Sequence, residues 1–465
     1  MNWQDSYRSK LMGAHEALHA VQSGMRVYIH PGCAEPEMLV EALIERAPFV
    51  KDVELVHLLT MGTADYVKPE MAGHFRHNAM FIGANVRQAV NDGRADYTPI
   101  YLSEIESLFE SGQMPLDVAL IQVSPPDAHG FCSFGVGVDT SLNAAKNARY
   151  VIAQVNDQMP RTYGDSFIHV SNLDAIVEAS RPLCELPREE LTDLHRSIAR
   201  HVATLIDDGC TLQLGIGGIP DAVLLELNDR KDLGVHTEML SHNAIPLIEK
   251  GIINGRRKTL HPRKIVLAFV LGTKELFDYV HDNPAFEFHP CSYTNNPFII
   301  AQNDRMIAVN STLQVDITGQ VCSDSIGQYL YSGFGGQVDF VRGARHSKGG
   351  KPIIAMPSTA KNDTLSRIVP TLTPGSGVVA SRGSIHYVVT EWGIAYLHGH
   401  SIRERAEALI QIAHPKFRSA LYEYCEKTRW LQRPLLHLEE MAGHIAPSPQ
   451  PAAAGVGDST KTDGR

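Results

Sequence analysis

Apolar residues recur at helical spacing over residues 5–22 (Leu11, Ala14, Leu18, Val21), and the run stops at Gly24, which predicts a helix with a glycine terminator. Arg26-Val27-Tyr28-Ile29-His30 then reads as a strand, Pro31 to Pro36 as a turn, and residues 37–45 as a helix. The same plan returns later in the chain. A helix over about 189–207 leads into a strand at Gly209-Cys210-Thr211-Leu212-Gln213-Leu214, a glycine turn from Gly215 to Pro220, and a helix over 221–227. The two copies align strand on strand and Pro36 on Pro220, which predicts an internal duplication and two related α/β domains.

Short apolar, β-branched runs extend the pattern. Val118–Val123 and Tyr150–Val155 serve the first half, while Lys264–Val270, Met306–Asn310 and Pro352–Met356 serve the second. Such runs, separated by helical or turn-rich stretches, mark open α/β folds with parallel sheets buried on both faces. Pro182 and Pro187 forbid regular structure in Ser180–Arg188. The expected division is therefore 1–185 and 186–445. Residues 446–465 are rich in Pro, Ala, Gly and Ser, which predicts a disordered tail.

Composition narrows the function. A chain of 465 residues exceeds the size of one ordinary core, in keeping with two domains. A formal charge of -10, with no Lys/Arg block, argues against a nucleic-acid partner. No apolar run reaches the roughly 20 residues of a membrane helix, and no signal-peptide pattern opens the chain. Seven scattered cysteines without a C-x-x-C pair fit reduced thiols, so a cytoplasmic protein is expected.

Glu238, in Val235-His236-Thr237-Glu238-Met239-Leu240, is the most informative residue. It sits one helix beyond the glycine turn, where an open α/β sheet places ligands at the carboxyl ends of its strands. Position alone leaves four roles open: nucleophile, acid/base, ribose-binding group or surface charge. The turn itself resembles a dinucleotide fingerprint but fails it, because Pro220 stands where the third glycine belongs. A second loop, Gly333-Phe334-Gly335-Gly336, exposes successive amides suited to an oxyanion or a thin ligand, and a flexible hairpin is the alternative. Ser358-Thr359-Ala360-Lys361 follows a strand and offers hydroxyls and a cation for phosphates, or a solvated loop. His74/His77 and His398/His400 lack carboxylate or thiol partners at ligand spacing, so no metal site is expected. Cys132 has no defined base beside it.

Many blocks in one order carry a resemblance along residues 5–440. They include His77–Gly83, Ala95–Ile100, Gln122–Asp127, Met159–Asp165, the Gly215 turn, His236–Met239, the Gly333 loop, Ser358–Lys361 and Val389–Gly393. The chain resembles the acetyl-CoA hydrolase/transferase family, in the 4-hydroxybutyrate and butyryl-CoA:acetate CoA-transferase branch of the class I CoA-transferases. The resemblance implies an active site at the domain interface, with Glu238 as the nucleophile and Gly335 and Gly336 stabilising an oxyanion. It implies CoA contacts from Gln213, Leu214, Gly215, Ile216, Gly217, Gly218, Ile219 and Gly333, with Lys361 and Asn310 nearby. Glu391 is expected to line the acid pocket. Acyl-CoA and short-chain carboxylic acids are the expected partners, CoA being a substrate and no cofactor being tightly bound, and a homodimer is the family expectation.

One departure stands beside the glutamate. Relatives carry Ser-Asp-Gly where this chain has Ser241-His242-Asn243, which places His242 near the substrate pocket and predicts a left-handed backbone at Asn243. A hydrolase using the same glutamate and a non-catalytic CoA-binding regulator are the alternatives to a transferase.

Overall fold

The computed structural model describes residues 2–431 apart from Arg429, so the tail expected over 446–465 lies outside the described residues. Two parallel sheets dominate. The first contains β1 (Arg26–Ile29), β2 (Val53–His57), β3 (Phe75–Ala79), β4 (Asp96–Tyr97), β5 (Val118–Val123), β6 (Tyr150–Asn156) and β7 (Ala175–Ala179). The second contains β8 (Thr211–Leu214), β9 (Gly234–His236), β10 (Ile265–Leu267), β11 (Phe286–Phe288), β12 (Met306–Asn310), β13 (Lys351–Ala355), β14 (Tyr387–Thr390) and β15 (Gly393–Tyr396).

The strand orders are β4-β3-β2-β1-β5-β6-β7 and β11-β10-β9-β8-β12-β13-β14-β15. Counted within each half, both run 4-3-2-1-5-6-7, and the second adds one antiparallel edge strand paired to β14. Shared order supports the duplication read from the repeated strand–turn–helix plan. Each order reverses beside its first strand, which opens a crevice between β8 and β12 in the second half.

Alternation along the strands explains the layers. Val27 and Ile29 point into one core while Tyr28 points into another, and β5 does the same with Val118 and Leu120 against Ala119, Ile121 and Val123. The core holding Tyr28 and Ala119 also holds Leu212, Leu214, Ile307 and Val309. The inner faces of both halves thus share one continuous apolar interior. No regular structure occurs over 180–192, the linker marked by its prolines.

Two predicted elements are interrupted. The first helix splits into α1 (Trp3–Lys10) and a shorter turn from Ala14, because Met12 donates its amide to Ile176 O on β7 (3.0 Å). The strand predicted over 264–270 breaks at Ala268, whose amide, with that of Phe269, turns to the Glu238 carbonyl (2.9 and 3.2 Å). The helices that matter for the site are α2 (Glu37–Glu45), α3 (Asp193–Ala203), α4 (Gly218–Leu225), α5 (Cys291–Thr294) and α6 (Gln337–His346).

Candidate active site

Glu238 follows β9 at the carboxyl end of the second sheet. Its segment is held on both sides. Thr237 donates its amide to Val266 O (3.0 Å) and its hydroxyl to Leu214 O (3.1 Å), tying the glutamate to the strand that enters the glycine turn. His236 beneath it is buried with Nε2 2.8 Å from Thr294 O, and burial lowers its ring to about 3, so it is neutral.

The Glu238 carboxylate meets two donors. Asn295, just beyond α5, donates from Nδ2 to Oε2 (2.9 Å), and the Gly336 amide at the start of α6 favours the same charge. Loss of water outweighs both, raising the carboxyl from 4.5 to about 7. A helix N-terminus aimed at an anion adds the favourable end of a peptide-dipole array. Gly336 has to be glycine at this approach: a Cβ there would overlap Glu238 Oε2 and Asn295 Nδ2. Gly335 takes φ +52°, a left-handed conformation that glycine adopts without strain.

The second glycine loop packs on the first half. A Cβ on Gly333 would press on the backbone of Phe81 and Met80, and the Gly335 carbonyl accepts the Leu102 amide (3.2 Å). Ser103 donates its amide and hydroxyl to Asp339 on α6 (3.1 and 2.8 Å). Burial pushes the Asp339 carboxyl up to about 7, and the nearby Glu238 charge pushes it the same way. Glu238 therefore lies where the two halves meet.

The first glycine turn borders the same crevice. Gly217 has φ +106°, and a Cβ on Gly218 would overlap the His195 ring of α3, so this glycine serves close helix packing. α4 begins at Gly218 and carries Ile219 and Pro220 in its first turn. Leu214 pairs with Val309, and Asn310 donates from Nδ2 to Gln213 Oε1 (3.1 Å) across the β8–β12 crevice. Gln213, Leu214, Gly215, Ile216 and Asn310 thus lie with Glu238 at the carboxyl end of the second sheet.

Three further residues named from sequence are not among the hydrogen-bond partners of the Glu238 carboxylate. Lys361 is exposed at a hairpin tip with φ +49°, and no bond joins it to the glutamate segment. The Glu391 carboxylate is occupied by Ser358, whose amide donates to Oε2 (2.9 Å) and whose hydroxyl donates to Oε1, so Glu391 holds the 358–361 loop. His242 is buried in a 3-10 turn, and burial, followed by nearby Arg188, lowers its pKa. Its neighbour Ser241 donates to Asp221 Oδ1 (2.6 Å) on α4. The left-handed backbone expected at Asn243 does not occur: that residue continues the 3-10 turn with an ordinary φ, so His242-Asn243 needs no glycine-like position.

Asn295 and Asp339 are the site residues that sequence reasoning missed. Asn295 lies 57 residues beyond Glu238 in a turn with no motif. Asp339 stands three places after Gly336, inside the stretch singled out for its glycines. One ring of each histidine pair packs on another histidine: His77 stacks on His57 (4.0 Å), and His398 lies tilted against His386 (4.1 Å).

The models of the acetyl-CoA hydrolase/transferase N-terminal and C-terminal domains match residues 1–185 and 272–425. The chain belongs to the acetyl-CoA hydrolase/transferase family. It is 52% identical over 427 residues to 4-hydroxybutyrate coenzyme A transferase of Clostridium kluyveri, covering 92% of this chain and all of that one. Succinyl-CoA:acetate/propanoyl-CoA:succinate CoA transferase of Fasciola hepatica is 49% identical over 412 residues (87% of this chain, 85% of that one). Among solved structures, 4-hydroxybutyrate CoA-transferase of Porphyromonas gingivalis superposes with a TM-score of 0.80 at 42% identity, over 92% of this chain and all of that one. No helix of the described residues is long and apolar enough to cross a membrane.

Proposed function

We propose that the protein transfers coenzyme A between a short-chain acyl-CoA and a free carboxylate, with Glu238 carrying the CoA. The observation that supports this most is the Glu238 carboxylate at the carboxyl end of the second sheet, met by Asn295 and the Gly336 amide. A carboxylate nucleophile needs no base once ionised.

In this scheme a Glu238 oxygen attacks the acyl-CoA carbonyl, and the C–S bond breaks to give an acyl-glutamyl anhydride and CoA thiolate. The thiolate attacks the glutamyl Cδ, and the C–O bond breaks to release the first acid as its carboxylate. The product is a glutamyl-CoA thioester. A second carboxylate attacks that thioester, and the same steps in reverse form the new acyl-CoA and free Glu238. One thioester replaces another, so little driving force is needed and the kinetics are ping-pong.

When thiolate attacks Cδ, negative charge grows on a Glu238 oxygen. Asn295 Nδ2 already donates to Oε2 and the Gly336 amide meets the same carboxylate, so both are preorganised for that oxyanion. The Gly215 turn and Asn310 flank the crevice that suits the CoA arm, whose distant contacts supply energy for placing the thiol. Lys361 and the Ser358 loop suit its phosphates. CoA enters and leaves as substrate. Homodimeric assembly rests on the family resemblance, and a cytoplasmic site of action on the scattered cysteines without a C-x-x-C pair.

The acid is a short carboxylate of the acetate, butyrate or 4-hydroxybutyrate type. The two relatives bear names with different acids at nearly equal identity, so a panel of acceptor acids is the way to choose among them. Glu238→Gln tests the reading: CoA transfer between two acids should vanish. Near wild-type transfer by this variant would sink it. Incubating acetyl-CoA with and without a second carboxylate separates transfer from hydrolysis, since a transferase forms product only with the acceptor.

A further inference from the structure

At the edge of the second sheet, away from the glutamate, three side chains converge. Glu287 lies in β11, His289 follows two residues later on the same face, and His261 reaches in from the loop before β10. His261 Nδ1, Glu287 Oε2 and His289 Nε2 all fall within 4.8 Å of one another.

Their partners set the lone pairs. His289 Nδ1 is 2.9 Å from Asp165 Oδ2, so that nitrogen carries the proton and donates, leaving Nε2 as a lone pair. His261 Nε2 is engaged 2.5 Å from the Tyr293 hydroxyl, which turns Nδ1 toward Glu287. His289 Nε2 is buried and has no hydrogen-bond partner, while Glu287 Oε2 is met by His261 Nδ1 at 2.8 Å and stands 3.7 Å from His289 Nε2. A buried lone pair aimed at a carboxylate, with no donor between them, is costly. Lys264 Nζ lies 3.5 Å from the other Glu287 oxygen, and buried Lys258 spends its protons on Val235 O and Lys264 O, so neither fills the gap.

We propose that His261, Glu287 and His289 form a binding site for a zinc-type divalent ion. Two imidazoles and one carboxylate are a common zinc donor set that leaves a fourth position for water. Metal–ligand bonds of about 2.0–2.1 Å put tetrahedral donor atoms about 3.3 Å apart, so these atoms need shifts of under roughly an ångström. Asp165 acts as the outer carboxylate that fixes a ligating histidine.

The site has a structural consequence. Asp165 belongs to the first half, and its amide donates to Phe288 O (2.8 Å). His289 leads directly into α5, whose Tyr293 touches His261 and whose end supplies Asn295 to Glu238. A bound ion pins that turn from its outer side and makes Asn295 a ligand-supported positioning residue.

The test uses full-length protein stripped with a chelator, dialysed against zinc chloride, and read by elemental analysis. Roughly equimolar zinc should remain on the wild type, and it should be lost in His261→Ala, Glu287→Gln and His289→Ala. A His398→Ala/His400→Ala variant should keep it. Asp165→Asn removes no ligand and should weaken zinc binding about 10–100-fold, which keeps the test valid should the ligand variants misfold. Cobalt(II) added to the stripped wild type should give visible absorption bands that His289→Ala lacks. Zinc absent from the wild type, or retained unchanged by the three variants and by Asp165→Asn, overturns the site. The outcome is independent of CoA transfer, which tests Glu238 separately.

Discussion

Asn295 Nδ2 donates to Glu238 Oε2 over 2.9 Å, joining two residues from different turns of the second sheet. The bond fixes the carboxylate against α6 and favours its charge. Replacing Asn295 with Ala should reduce kcat about 10²-fold, the cost of one donor to a developing oxyanion, with a smaller change in KM for acyl-CoA. A steady-state comparison with the wild type checks this. Unchanged kcat would show that the amide only fills space.

The pH profile should carry a limb near 7. Attack needs ionised Glu238, and burial raises its carboxyl to about 7. The rate constant kcat/KM should therefore rise with pH through about 7 and fall tenfold per unit well below it. Asn295→Ala removes a bond that lowers the pKa, so its limb should move upward. A flat profile from about pH 5.5 to 8 would contradict the burial argument.

Gly336→Ala should be far more damaging than its size suggests. The added methyl meets Glu238 Oε2 and Asn295 Nδ2 together, displacing the two groups whose alignment matters most. Activity should fall at least about 10²-fold while the chain stays folded by circular dichroism. Gly13→Ala, where nothing lies within 4 Å, is the control and should be neutral.

Stability should show the same carboxylate with opposite sign. The folded pKa of about 7 exceeds the ordinary 4.5, so the folded state prefers the protonated form. This contribution is complete below about 4.5 and is lost as pH rises through about 7. Glu238→Gln should thus be more stable than wild type at pH 8 by on the order of 1–3 kcal/mol, the gap closing toward pH 4.5. Denaturant titrations at the two pH values read the difference.

Sequence reasoning reached the parts that obey local rules. Val118–Val123 and Met306–Asn310 are buried strands at the bounds their apolar runs predict, because parallel strands need apolar residues on both faces. The repeated strand–turn–helix plan anticipated the shared strand order, and Glu238 lies at the carboxyl end of the sheet, where its position after a strand implied. What escaped was set by contacts between distant segments. The Asn295 side chain matters because α5 folds beneath β9. The strand at Lys264–Val270 breaks because the Glu238 carbonyl claims two of its amides. His261 and His289 are 28 residues apart with strand β10 and a helix between them, and no short-range spacing marks them as partners.

The central claim is that Glu238 carries CoA as a thioester. Incubation with acyl-CoA followed by borohydride reduces a glutamyl thioester to an alcohol, and peptide mass spectrometry then locates it. The account predicts reduction at Glu238 alone, dependent on acyl-CoA and absent from Glu238→Gln. Reduction at another carboxylate, or full transfer activity with Glu238 unmodified throughout turnover, would contradict it.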